Sequence, residues 1–257
     1  MSDSNPKATA PSSKVPAVQR LASVLRYLST TQDPSPLSAI AQACNLNPST
    51  CLYLLREMVA EGLIRQDHGK MYVLGPEVVR LANQWLDQDH FALDVHENLA
   101  ELSDQYGVTA LGVMIEGLKQ ITVIAKAESD SIFQLSARIG SRFPALISAT
   151  GRCVAAFGGT EVGGLRQQFE RLRWDHPPSW NTWIAQVHDT ARLGYAVDDG
   201  YYLADTVIAA APVYRSGDRP SHAIVVIGLA TSLRARGIDE VGRAVKSAAD
   251  RLSQRVR

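Results

Sequence analysis

The spacing of apolar residues between positions 36 and 72 predicts a helix, a short turn, a second helix and a two-stranded hairpin. Leu37 and Ile40 begin the apolar face of the first helix, which ends at the turn 44–46. The second helix has a sharp start, because Asn47 is a favoured N-cap residue and Pro48 suits the first helical position. The segment therefore predicts a helix-turn-helix with a β-hairpin wing.

The second helix presents two chemically different faces. Apolar residues recur on one face at helical spacing: Cys51, Leu54, Leu55 and Met58. The other face carries Ser49, Thr50, Leu52, Tyr53 and Arg56. Hydroxyl, tyrosine and arginine side chains at such positions can contact phosphates and base edges of DNA.

An ordinary solvated helix face would show the same residues, but the hairpin that follows favours DNA binding. Strands are predicted at 63–65 and 71–74 around the turn 66–70. The candidate DNA contacts are Asn47, Ser49, Thr50, Tyr53, Arg56, His68 and Lys70. We expect the partner to be double-stranded operator DNA.

Beyond the hairpin, a broad apolar stripe over residues 76–86 predicts a linker helix, and a further helix is predicted over 91–105, ending before Gly107. Strands are then predicted at 108–115, 119–127, 133–137, 195–198, 207–213 and 222–230. Helices are predicted at 148–157, 161–171, 179–193 and 237–256. This mixture indicates an α+β domain with one antiparallel sheet.

Length and composition agree with two domains, since the chain has 257 residues and 46% of them are hydrophobic. Residues 1–14 are rich in Ser, Pro and Ala and are expected to form a flexible arm rather than a signal peptide. With no apolar run long enough to cross a membrane, a cytoplasmic protein is predicted. Three cysteines, Cys44, Cys51 and Cys153, lack ligand-like spacing, so no metal site or cofactor is expected.

The net charge of the chain is zero, and the first 75 residues carry seven Lys or Arg against five Asp or Glu, a net charge of +2. Each phosphate contact contributes little by itself, so a weakly basic module needs two copies on one operator. At least a homodimer is therefore expected.

Four segments in order resemble the IclR family of bacterial transcription regulators. They are AVQRLASVLRYL (17–28), the helix-turn-helix, EGLIRQD (61–67) and YVLGPEVVRLA (72–82). The resemblance implies a winged helix-turn-helix domain over 15–75 and a linker helix over 76–90. It also implies a GAF-like effector-binding and oligomerisation domain over 91–257, and a homodimer or homotetramer. One departure is Tyr53, where the family usually has an arginine.

The resemblance also places the effector pocket. The matching positions are Ile132, Leu135, Ala149, Thr150, Asp198, Ile208, Val225 and Ile227. Members that take small keto acids generally have an acidic pair where this chain has Gly200-Tyr201, and polar residues where it has Ile or Val. Few donors line such a pocket, so it implies a larger apolar effector, an aromatic acid above all. Alternating Ile and Val are equally typical of a half-buried strand.

Two further roles stay open in the sequence. Arg152 either meets an effector carboxylate or ties its helix to a neighbouring acid, and the tryptophans at 174, 180 and 183 either cover the pocket or anchor a loop. No catalytic residue is predicted, because the chain has no GxSxG, Walker A or HExxH motif. The alternatives to a regulator are an enzyme acting on a hydrophobic molecule with an appended DNA-binding module, and an architectural DNA protein without a ligand.

Overall fold

The computed structural model describes residues 15–67, 69–129 and 137–254, and the chain divides into two compact units between Asp89 and His90. The first unit contains α1 (Pro16–Leu28), β1 (Ser35–Pro36), α2 (Leu37–Ala43), α3 (Pro48–Ala60), β2 (Ile64–Asp67), β3 (Met71–Leu74) and α4 (Pro76–Gln88). Its antiparallel sheet has the order β1-β3-β2. The predicted winged helix-turn-helix is confirmed, with β1 as an additional strand.

The turn between α2 and α3 is held by backbone geometry and one side-chain cap. Asn45 adopts a positive φ of 52°, and the Leu46 amide donates to the Ala41 carbonyl at 2.8 Å. Asn47 Oδ1 accepts a hydrogen bond from the Thr50 amide at 2.7 Å, which is the predicted N-cap. The core below contains Val24, Leu28, Ile40, Ala41, Cys51, Leu55, Met58, Ile64 and Tyr72. α3 is thereby fixed against α1 and α2 by its apolar stripe.

The second unit begins with α5 (Phe91–Asp94), α6 (His96–Tyr106), β4 (Thr109–Glu116), β5 (Gln120–Glu128), β6 (Arg142–Pro144), α7 (Ser148–Phe157), α8 (Val162–Phe169) and α9 (Trp180–Leu193). It continues with β7 (Ala196–Asp199), β8 (Thr206–Val213), β9 (His222–Leu229), α10 (Ala230–Arg236) and α11 (Ile238–Gln254). Six antiparallel strands form one sheet in the order β6-β5-β4-β9-β8-β7, so the predicted α+β class is confirmed.

Strand alternation divides this unit into two cores. On β9, Ile224 and Val226 face the core shared with α6 and α11, whereas Ala223 and Val225 face the core shared with α7. The same alternation on β8 places Val207 and Ile208 in different cores. One face of the sheet is therefore covered by α6 and α11, and the other meets α7.

One expectation about this unit needs correction, one falls largely outside the described residues, and two elements were not expected. The helix expected over 91–105 is two helices, α5 and α6, which are separated at Val95. The strand expected over 133–137 falls mainly on residues 133–136, which lie outside the described ones, and Ala137 is in no strand. β6 was not expected, since its three residues are too few to show alternation. α10 was not predicted, because Leu229 makes no side-chain cap that would mark its start.

Among the described residues, no helix is both long enough and apolar enough to cross a membrane.

Candidate functional sites

The exposed face of α3 carries most of the predicted DNA contacts. Ser49 is exposed, Thr50 is half-buried, and the Tyr53 side chain is 67% exposed. The exposed Arg56 lies one turn further on, and its Cζ atom is 6.0 Å from the centroid of the Tyr53 ring. These residues lie together on one helix face, opposite the buried stripe, because α3 is anchored through Cys51 and Leu55.

The wing turn connects β2 to β3. Gly69 and Lys70 both have positive φ values, 82° and 62°, and Lys70 is exposed at this turn. His68, the other wing residue expected to contact DNA, lies outside the described residues. The turn of the wing therefore carries at least one exposed cation, Lys70.

A cavity of about 340 Å³ lies between the start of α7 and the face of the sheet that meets α7. Its apolar lining is Leu111, Val113, Ile121, Val123, Ala137, Phe143, Ile147, Leu203, Ile208, Val225 and Ile227, and its other lining residues are Arg138, Ser141, Ser148, Thr150 and Tyr202. Apolar walls with a few polar groups are typical of a small-molecule site.

Four of the predicted effector residues line this cavity: Thr150, Ile208, Val225 and Ile227. Ala149 and Asp198 do not line it, although both are completely buried. Ile132 and Leu135 fall outside the described residues. The structure thus gathers half of the predicted set around one cavity.

The expectation that Asp198 faces the cavity needs correction. Its Oδ2 accepts a hydrogen bond from Arg152 Nη1 at 2.9 Å, and both side chains are fully buried. Its Oδ1 accepts from the backbone amides of Tyr201 and Tyr202 at 3.1 and 2.9 Å. Asp198 therefore ties α7 to the loop after β7, and Arg152 has the structural role that the sequence left open.

Sequence reasoning missed four polar residues of the lining, Arg138, Ser141, Ser148 and Tyr202. Ser148, the first residue of α7, is the most buried of them. It is 5% exposed, it lines the cavity, and it has a positive φ of 57°, which is strained for a residue with a side chain. No described donor or acceptor bonds its Oγ atom. Its position two residues before Thr150, which the family resemblance places at the pocket, is the signal that could have identified it.

The tryptophans anchor the segment around α8 and α9 and do not line the cavity. Trp183 is fully buried and lies 5.1 Å from Phe169, centroid to centroid. Trp180 stacks on Trp183 at 5.4 Å, and Trp174 meets Tyr202 edge-on at 6.5 Å. Only this last contact reaches a residue of the cavity wall.

Cysteine chemistry at Cys153 is suppressed by its surroundings. Burial raises the pKa of the Cys153 thiol to about 12, although the nearby Arg152 opposes the shift. The thiol contacts the Ala210 carbonyl oxygen at 3.4 Å. At neutral pH it is protonated, and a protonated thiol is a poor nucleophile and a poor metal ligand.

Two family models match the chain. The model of the IclR helix-turn-helix domain matches residues 17–68, and the model of the C-terminal domain of the bacterial transcriptional regulator IclR matches residues 84–254. The chain belongs to the IclR family. It is thus a transcription regulator with a DNA-binding helix-turn-helix domain and an effector-binding domain.

Similar proteins cover nearly the whole of this IclR-family chain. RhmR of Escherichia coli, an uncharacterised helix-turn-helix transcriptional regulator, is 26% identical over 247 residues, which are 93% of each chain. The transcriptional repressor IclR of Escherichia coli is 24% identical over 253 residues, 94% of this chain and 90% of that protein.

Among solved structures, an IclR homologue from Microbacterium hydrocarbonoxydans in complex with 4-hydroxybenzoate has the same fold. Its TM-score is 0.72 at 17% identity, over 94% of this chain and 99% of that one. At this identity the likeness concerns the fold.

Proposed function

We propose that this IclR-family protein is a one-component regulator whose effector is an aromatic acid or a related apolar compound bound in the 340 Å³ cavity. The observation that carries the proposal is the lining of the cavity, which is mostly apolar and includes a few polar residues, Arg138, Ser141, Ser148, Thr150 and Tyr202. An aromatic ring suits the apolar side chains, and a carboxylate suits the polar ones.

The start of α7 can accept one carboxylate, and Arg138 adds a cation to the same cavity lining. Thr150 is 2% exposed, and the Ser148 hydroxyl has no described partner. Ile147, the residue before α7, makes no side-chain cap, so the first amides of the helix remain available as donors. Helix N-termini favour anions for this reason.

Short keto acids fit this cavity poorly. Glyoxylate has almost no apolar surface to bury against the Ile, Val and Leu side chains that form most of the lining. The Microbacterium homologue was crystallised with 4-hydroxybenzoate, an aromatic acid, which supports the same ligand class.

A thermal-shift screen tests this proposal. Purified protein is melted with benzoate, 4-hydroxybenzoate, phenylacetate, pyruvate and glyoxylate. A ligand at a hundredfold excess over its dissociation constant stabilises the folded state by about 2.7 kcal/mol. We expect stabilisation by aromatic acids, with each recovered chemically unchanged. Stabilisation by pyruvate or glyoxylate alone would refute the ligand class, and conversion of the acid would favour an enzyme.

A matched pair of variants locates the bound acid. Thr150→Val removes a cavity hydroxyl with little change in shape, and it should weaken the stabilisation by the acid several-fold. Thr190→Val makes the same chemical change on α9, where the hydroxyl bonds the Gln186 carbonyl away from the cavity. The Thr190 variant should keep the full ligand response.

For DNA, we propose that Ser49, Thr50, Tyr53 and Arg56 of α3 enter the major groove while Lys70 of the wing contacts phosphate. Asn47 contributes mainly by fixing the start of α3. We propose a homodimer or homotetramer, formed in part through the apolar face of α4, where Val79, Leu81 and Trp85 are exposed.

A further inference from the structure

Tyr53 and Arg56 form a pair on the exposed face of α3 that the general description of a DNA-binding helix does not explain. The Tyr53 ring is 67% exposed, although a tyrosine ring has a large apolar surface. The guanidinium of Arg56 lies 6.0 Å from the centroid of that ring, at the limit of a cation–π contact. Within the described part of the chain, Arg56 has no carboxylate partner.

We infer that Tyr53 and Arg56 act together as one base-reading unit. The Tyr53 ring contacts the methyl group of a thymine, and Arg56 donates two hydrogen bonds to O6 and N7 of a guanine in a neighbouring base pair. This inference rests on the proposed function, because it requires α3 to lie in the major groove.

The chemistry of the two side chains matches these two bases. The thymine methyl is the apolar group of the major groove, and an exposed aromatic ring covers it without losing a hydrogen bond. The planar guanidinium edge of Arg56 fits guanine O6 and N7 as a fork.

The spacing agrees with neighbouring base pairs. Residues three apart on a helix are separated by about 4.5 Å along its axis. Base pairs in B-DNA are stacked about 3.4 Å apart. A helix lying in the groove would therefore bring Tyr53 and Arg56 to adjacent base pairs. Each half-site should contain a base pair with thymine next to a base pair with guanine.

Selection from a randomised DNA pool with the full-length protein provides the preferred site. Two chemical probes are then placed in that site. Deoxyuridine in place of thymidine removes the methyl group alone, and 7-deazaguanine removes the N7 acceptor alone. Affinities are measured for the wild type and for Tyr53→Phe, Tyr53→Ala and Arg56→Lys, with Val59→Ala as a control truncation on α3, at a side chain that is 36% exposed.

We expect deoxyuridine to weaken binding by the wild type and by Tyr53→Phe about fivefold or more, which corresponds to the lower end of base discrimination. Tyr53→Ala should lose a similar factor on the thymine site and show no further loss with deoxyuridine. Arg56→Lys should be less sensitive to 7-deazaguanine than the wild type, since the lysine ammonium lacks the planar fork of the guanidinium. Val59→Ala should behave as the wild type.

Two results would overturn the inference and leave the proposed function intact. One is that the Tyr53→Ala and Arg56→Lys proteins keep the base preference and the probe sensitivity of the wild type. The other is a uniform loss over all sequences in Arg56→Lys or Tyr53→Ala with a smaller salt slope, which marks phosphate contacts. A wild type that enriches no sequence would overturn both. Thermal melts show whether each variant is folded, and the high exposure of Tyr53 predicts that its variants are.

Discussion

Asp198 has no contact with solvent, and its carboxylate accepts hydrogen bonds from Arg152 and from the Tyr201 and Tyr202 amides. These bonds join α7, which supplies Ser148 and Thr150 to the cavity, to the loop that supplies Tyr202 and Leu203. The Arg152–Asp198 pair therefore holds two walls of the cavity in place, and neither residue is part of the lining.

Removal of this carboxylate should be costly. Asp198→Ala leaves the Arg152 guanidinium buried and unpaired, so we expect a loss of about 3–5 kcal/mol in the free energy of unfolding. Denaturant unfolding of the full-length protein measures it. The neighbouring Asp199 is a natural control, because its pair with Arg234 lies at the surface. Equal losses in Asp198→Ala and Asp199→Ala would contradict the structural role.

Two substitutions of Ser148 test its backbone strain and its role in effector binding separately. Glycine adopts a positive φ without strain, so Ser148→Gly should be at least as stable as the wild type, whereas Ser148→Ala keeps the strain at φ 57°. Both variants lack the hydroxyl and should bind the aromatic acid more weakly. Thermal melts with and without the acid measure both effects. Full ligand response in Ser148→Gly would show that the hydroxyl does not meet the effector.

The three thiols should differ in reactivity. Cys44 is half-buried, whereas Cys51 and Cys153 are fully buried. Burial raises the pKa of the Cys51 thiol, with a further increase from Cys44, and it raises that of Cys153 to about 12. Iodoacetamide at pH 8 should therefore label Cys44 first, as peptide mass spectrometry would show. Early labelling of Cys153 would contradict its burial.

The raised pKa of Cys153 also links stability to pH. The folded state holds this proton more tightly than the unfolded state, whose thiol titrates near pH 8.5. This stabilisation is fully present below that pH and declines as the pH rises toward about 12.

At the scale of elements, α3 has the most clearly defined start in the chain. Asn47→Ala removes the cap on the Thr50 amide and should destabilise the winged-helix unit by about 1 kcal/mol. Hydrogen exchange should show faster exchange in the first turn of α3, with α7 unaffected. Unchanged protection of α3 would mean that Pro48 alone sets the helix start.

The elements differ in how far their sequence predicts them. The start of α3 follows from the sequence to the residue, because Asn47 and Pro48 are local signals. β6 and α10 have no such signals and depend on tertiary pairing, β6 through its contact with β5. In the site, Ile208 and Val225 followed from the family resemblance, but the role of Asp198 depends on Arg152, which is 46 residues away in the chain. The local periodicity of the sequence does not predict a pairing between residues so far apart in the chain.

At the scale of the whole molecule, we propose that α4 contributes to assembly. Its exposed apolar residues should be covered by a second copy, so Trp85→Glu should shift the protein toward monomer in sedimentation experiments. Asn83→Asp adds the same charge at an exposed position of α4 outside the apolar stripe and serves as the control. An unchanged oligomer in Trp85→Glu would show that other surfaces hold the copies together.

Two units in one chain can act as a switch only if the effector distinguishes DNA-competent from DNA-incompetent arrangements of the subunits. We propose that α4 transmits this difference by changing the spacing of paired winged helices. An effector that favours the DNA-incompetent arrangement releases the protein from DNA, and one that favours the DNA-competent arrangement tightens DNA binding.

The most direct test is the affinity of the full-length protein for its selected operator, measured with and without a saturating aromatic acid from the thermal-shift screen. The proposed function predicts a change of about 5- to 150-fold, in either direction, which corresponds to a coupling free energy of 1–3 kcal/mol. An acid that stabilises the protein while leaving operator affinity unchanged would contradict an effector-responsive regulator.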